Sequence, residues 1–187
     1  NNPEGVLNDK EILKLFKDTG ALLSGHFRLS SGLHSGNYFQ CALLLQHSNI
    51  AEKLCGELAD YFKDNKPTCV IAPAVGGIIV SYETARGLGI KSLFTERVEG
   101  KMTLRRGFEL KKEDRVLVVE DVITTGLSTN EVVEVVRSTG AEIIGVGSIV
   151  DRSGKIISSH FYKRQAEEAQ KRSNRSKVYV RRITNSK

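Results

Sequence analysis

Apolar positions along this chain switch between two spacings. In LNDKEILKLFKDTG they recur every three or four residues, which predicts a helix. Asn8 is placed as its N-cap, Glu11 completes a capping box, and Leu7 and Ile12 have the spacing of a hydrophobic staple. Gly20 stops the helix. HFRLSSGLHSGNYFQCALLL predicts short extended pieces around a Ser/Gly-rich turn. NIAEKLCGELADYFKD returns to helical spacing, with Leu54, Leu58, Tyr61 and Phe62 on one side.

From Thr68 the pattern becomes regular. TCVIAPAVGG is a short apolar run entering a tight loop, and IIVSYETARGLG is helical, ending at Gly87 or Gly89. KSLFTERV is a strand, EGKMTLRRGFELKKED is polar and irregular, and RVLVVEDV is the clearest strand, ending near Val119. STNEVVEVVRSTG is a helix, with Ser128 and Glu131 as a second capping box and Gly140 as its stop. AEIIGVGSIVDRSG is the next strand. Strands alternating with helices from Thr68 to Val150 predict an α/β fold with a mostly parallel sheet covered on both faces. Ligands of such sheets bind beyond the carboxyl ends of the strands. The loops APAVGG, ERVEGKM, EDVITTGLS and DRSG all fall there, so they are expected to form one site.

Composition changes this picture little. The chain has 187 residues, one domain's worth, with hydrophobic content of 40% and charged content of 27%. It has no apolar run of membrane-spanning length. No signal or transit peptide pattern is visible at the start, and the only methionine is Met102, so Asn1 reads as a processed or cut end. Cys41, Cys55 and Cys69 are widely spaced in apolar surroundings, as buried thiols of a reducing cytoplasm are. His26, His34, His47 and His160 have no metal-ligand spacing. The net charge of +6 is unevenly spread. From Arg152 onward eleven Lys or Arg face two Glu (+9), whereas residues 1–151 carry seventeen basic and twenty acidic residues (−3). The basic part is expected to be a solvated tail.

Candidate chemistry concentrates in VLVVEDVITTGLST. Thr124, Thr125, Gly126, Leu127 and Ser128 run into a helix N-terminus, where free N–H groups and the helix dipole favour a phosphate. This is neither the Walker nor the dinucleotide pattern. The preceding acids, Glu120 and Asp121, would repel a phosphate but would accept hydroxyl groups. A ribose 5-phosphate satisfies both requirements, and Mg²⁺ would offset the charge.

This stretch resembles the signature of the type I phosphoribosyltransferases. Three further segments, GHFRLSSGLHSGNYFQCALLLQ, APAVGGIIVSYETARGLG and FTERVEGKMTLRRGFEL, together with DRSG, resemble the orotate phosphoribosyltransferase family's base-covering hood, pyrophosphate loop, mobile catalytic loop and base-recognition corner. The resemblance covers roughly residues 8–154. It implies the type I phosphoribosyltransferase fold over residues 1–154, a small hood over about residues 8–45, and a basic tail of unclear role over 155–187. It implies pentosyl transfer in pyrimidine biosynthesis: orotate and 5-phosphoribosyl 1-pyrophosphate (PRPP) give orotidine 5-phosphate and pyrophosphate. Mg²⁺ would be held through PRPP with no direct protein ligand. The enzyme would be a cytoplasmic homodimer with shared sites, without membrane or nucleic-acid partners.

The resemblance assigns roles residue by residue. Glu120 and Asp121 would hold the ribose, and Val122, Ile123, Thr124, Thr125, Gly126, Leu127 and Ser128 would wrap the 5-phosphate. Arg97 and Lys101 would reach the pyrophosphate as parts of a lid, with Arg105 and Arg106 as possible helpers. Val75, Gly76 and Gly77 would offer backbone groups to pyrophosphate, or the glycines would serve helix–strand packing alone. Thr124 and Arg152 would contact orotate, Arg152 through its carboxylate. Tyr38 and Phe39 would wall the base or join the core. Some family members carry Lys near Ser30, Lys at Gly76 and His near Thr103, and this chain has none of these. Two other readings stand beside this one: a regulatory nucleic-acid binder on the same fold, for which the basic tail speaks, and a transferase for another base.

Overall fold

The structure, a computed structural model, describes residues 7–28, 34–151 and 177–182. Helix α1 (Asp9–Asp18) begins as its sequence requires. The Asn8 side chain accepts from the Glu11 N–H at 3.0 Å, and the Asn8 N–H donates to Glu11 Oε2 at 2.7 Å. Leu7 and Ile12 are both buried. Strands β1 (Leu22–Arg28) and β2 (His34–Phe39) pair antiparallel as a separate hairpin, the expected hood. A short helix, α2 (Cys41–Leu45), follows where extended chain was expected. It buries Cys41, Leu44 and Leu45. Helix α3 (Ser48–Phe62) buries Leu54, Leu58 and Phe62, but Tyr61 is exposed and meets Phe62 edge-on at 5.0 Å.

The main sheet contains β3 (Cys69–Pro73), β4 (Lys91–Val98), β5 (Lys101–Leu104), β6 (Arg115–Ile123), β7 (Glu142–Asp151) and β8 (Lys177–Arg182), in the order β5-β4-β3-β6-β7-β8. All neighbours are parallel except β4 and β5. Alternate residues of the central strands feed two cores, as a sheet covered on both faces demands. Val70, Ala72, Leu117 and Val119 pack with α1, α3 and α4 (Gly77–Leu88), whereas Cys69, Ile71, Val116 and Val118 pack with α5 (Leu127–Ser138). Helix α4 ends at Gly89 in the left-handed region (φ 67°), so the later of the two candidate glycines is the stop.

Three expectations need correction. The clearest strand does not end near Val119. It runs to Ile123, because Val122 and Ile123 pair with Val150 and Asp151 of β7. The segment read as irregular contains β5, which turns back on β4 through Glu99 and Gly100, both at positive φ. Finally, Lys177–Arg182 in the basic tail is a strand that pairs with β7 and completes the sheet.

Candidate active site

Because β3 connects to β4 on one side and β6 lies on the other, the strand order reverses between β3 and β6. A crevice opens at such a point beyond the carboxyl ends of the strands. A cavity of about 630 Å³ lies here, lined by Arg97, Glu120 and residues 122–130. The end of β4 and the loop after β6 meet here, and the loop after β3 lies against Asp121 of β6, whereas the DRSG loop after β7 lies outside the described residues beyond Asp151.

The floor of the crevice is the start of α5. Gly126 is the N-cap at φ 78°, no side chain caps the helix, and the first turn has no acidic residue. The expected Ser128–Glu131 capping box does not form. The helix starts at Leu127, one residue earlier than Ser128, and Glu131 turns away to Arg97. At this turn Thr125 Oγ1 accepts from the Leu127 N–H at 3.3 Å. The N–H groups of this turn and the dipole behind them leave a positive cradle for an anion.

Glu120 lines the cavity near the end of β6, and Asp121 follows it. Glu120 is buried beside Thr129, whose Oγ1 donates to Glu120 Oε2 at 3.5 Å. Burial, reinforced by the charge of Asp121, pushes the Glu120 carboxyl well above the usual carboxylate range. Asp121 lies outside the cavity lining, and its Oδ1 accepts from the Val122 N–H at 2.8 Å. Asp121 packs closely on the loop after β3, and Glu120 lies within ordinary contact of it. A Cβ on Gly76 would stand 2.9 Å from Asp121 Cγ, and one on Gly77 would stand 2.7 Å from Ala72 Cβ and 3.5 Å from Glu120 Oε1. The two glycines thus serve both helix–strand packing and the placing of the acids, a close approach that nothing in the local spacing signals. Val75 ahead of them is exposed.

Arg97 lines the cavity at the end of β4. Its guanidinium grips Glu131 with both terminal nitrogens and donates to the Gly100 carbonyl at 3.1 Å. Glu131 is the residue that sequence reasoning misassigned, since its capping position masked its role across the crevice. Lys101 is exposed at the start of β5 and is outside the cavity lining. Arg105 is exposed, and Arg106 is taken up by Glu96 at 2.7 Å and stacks over Phe94 at 5.9 Å. In the hood, Phe39 joins the core against Phe16, whereas Tyr38 stays at the surface beside Phe27. His34 hydrogen-bonds His26 at 2.6 Å. Asp151 closes β7 beside Ile123, while Arg152 and Ser30 lie outside the described residues. Among the described residues no three His, Cys, Asp or Glu side chains gather as a metal cage, and no helix is long and apolar enough to cross a membrane.

Comparison with known proteins accords with this geometry. The model of the phosphoribosyl transferase domain matches residues 43–178. The orotate phosphoribosyltransferases of Desulforamulus reducens and Pelotomaculum thermopropionicum are each 60% identical over 147 residues, which is 79% of this chain and 77% of theirs. The crystal structure of orotate phosphoribosyltransferase from Aeropyrum pernix superposes with a TM-score of 0.65 at 28% identity, covering 80% of this chain and 88% of that one. A phosphoribosyltransferase from Corynebacterium diphtheriae, at 21% identity over 94% of this chain and 95% of its own, shares the fold with a TM-score of 0.70. The chain belongs to the phosphoribosyltransferase family, in its orotate phosphoribosyltransferase branch.

Proposed function

We propose that the crevice binds PRPP and orotate and transfers the phosphoribosyl group, with release of pyrophosphate. The observation that carries this reading is the uncapped α5 N-terminus directly beside Glu120 and Asp121. A phosphate cradle next to two carboxylates suits a phosphorylated sugar and little else. The 5-phosphate sits on residues 122–128, and the ribose hydroxyls donate to Glu120 and Asp121. The pyrophosphate lies along Val75, Gly76 and Gly77 and meets Arg97. Thr124 and Arg152 hold orotate. In the reaction the bond from the anomeric carbon to the pyrophosphate oxygen breaks, and a bond to the ring nitrogen of orotate forms as that nitrogen loses its proton. The sugar passes through a cation-like state, so the chain acts by alignment, by neutralising the leaving group and by excluding water.

Mg²⁺ fits this donor set as a substrate-borne ion. It favours one or two carboxylates together with phosphate oxygens and water over an all-protein cage. A homodimer completes the reading. Lys101, exposed on its hairpin, is then supplied to the neighbouring subunit's pyrophosphate, and the location is the cytoplasm. The exposed stripe of Val75, Ile79 and Tyr82 supports such pairing.

A spectrophotometric assay tests the reading. With Mg²⁺, PRPP and orotate, the ultraviolet absorbance of orotate should fall only when PRPP is present, and Lys101→Ala should abolish the loss. An unchanged signal with PRPP binding intact by calorimetry would sink the orotate assignment. Turnover of hypoxanthine instead would point to another base.

A further inference from the structure

Among the described residues Arg97 is the single Lys or Arg that lines the crevice, and its charge is already engaged. Nη1 donates to Glu131 Oε1 at 2.9 Å, and Nη2 pairs with Glu131 Oε2. This is the planar two-point grip that a guanidinium also uses on a phosphate. Held in this way, Arg97 cannot present the same two nitrogens to an incoming pyrophosphate. The contact also joins two elements. Arg97 belongs to the β4–β5 hairpin, and Glu131 to the helix whose N-terminus is the anion cradle. The side chains of Arg97 and Glu131 remain 43% and 28% exposed, so a change of partner requires no unfolding.

We propose that Glu131 is a positioning residue that keeps Arg97 at the crevice wall while the pyrophosphate site is empty, and yields it to the pyrophosphate of PRPP. The inference rests on the reading of Arg97 as a pyrophosphate contact. Two consequences follow from the competition. Glu131 lowers the affinity of the site for pyrophosphate, and it recaptures Arg97 after transfer, which speeds departure of the product.

Calorimetry with magnesium pyrophosphate and with PRPP, on the full chain, tests this. Glu131→Gln should bind pyrophosphate roughly two- to fivefold more tightly, the span of an exposed ion pair. In an Arg97→Ala background the same change should have no effect. KM for PRPP and kcat should both fall in Glu131→Gln, a split that a purely structural role would not produce. Glu131→Asp, with a shorter reach, should lie between, and it carries the test if Glu131→Gln melts early. Unchanged or weaker pyrophosphate binding in a normally melting Glu131→Gln would overturn the proposal, as would a gain that persists without Arg97. A wild-type chain that binds neither pyrophosphate nor PRPP would instead overturn the functional reading, and this inference with it.

Discussion

At Gly76 and Gly77 the missing side chain lets the loop after β3 lie close against Asp121 and Ala72. Neither glycine has positive φ, so conformational freedom is not their purpose. Space is, because the carboxylate of Asp121 crowds the place of a Cβ on Gly76 and the methyl of Ala72 that of a Cβ on Gly77. Glu120 shows the opposite kind of constraint, a charge kept where it is costly. Its carboxyl titrates well above the ordinary range because it is buried and faces Asp121. An acid raised in this way favours the folded state only while the unfolded chain is protonated too. Its contribution is full below the unfolded carboxylate pKa and is lost as pH rises through the folded value. We therefore expect Glu120→Gln to raise stability by roughly 0.5–2 kcal/mol at neutral pH. The gain should shrink towards pH 4, while PRPP affinity drops at neutral pH. Thermal melts across pH, alongside calorimetry, check both halves.

Among the elements, the sheet's two ends are built for different tasks. The end away from the crevice is knitted by Asp114, just ahead of β6. Its carboxylate accepts from the Lys111 N–H at 2.8 Å and from Thr68 Oγ1 at 2.9 Å, and Lys91 approaches to 3.5 Å. These contacts, the Lys111 N–H foremost, hold its carboxyl below the usual range. Its stabilisation is therefore present above that range and fades as pH falls through the lowered value. Asp114→Ala should cost about 1–2 kcal/mol by removing the acceptor of two part-buried hydrogen bonds, with kcat unchanged; denaturant melts and the orotate assay check this. The crevice end carries none of this knitting. Helix α5 starts without a cap, and the β4–β5 hairpin is held against it by Arg97 and Glu131. The capping box of α1 was readable because both partners lie within one turn. The same spacing at Ser128 and Glu131 misled, because an arginine elsewhere in the chain competed for the glutamate.

For the whole molecule, α4 and the loop before it present an exposed apolar stripe. Val75 is 83% exposed, Ile79 40% and Tyr82 62%. In the proposed homodimer this stripe is covered, so Tyr82→Glu should shift sedimentation from dimer to monomer and reduce turnover while the monomer stays folded. A wild-type chain sedimenting as a monomer would remove the shared-site part of the reading.

The alternation of strands and helices, the doubly covered sheet and the placing of two acids before a hydroxyl-rich turn were all settled by local spacing. Period and turn chemistry are properties of neighbouring residues, and burial merely rewarded them. The membership of β8 in the sheet, the extension of β6 to Ile123 and the grip of Glu131 on Arg97 were decided only by tertiary structure. β8 is joined to β7 from beyond residue 176, and Glu131 stands 34 residues from its partner. Which strand finds an open edge, and which carboxylate finds an arginine, depends on what the rest of the fold brings alongside, and no short window of the chain contains both partners.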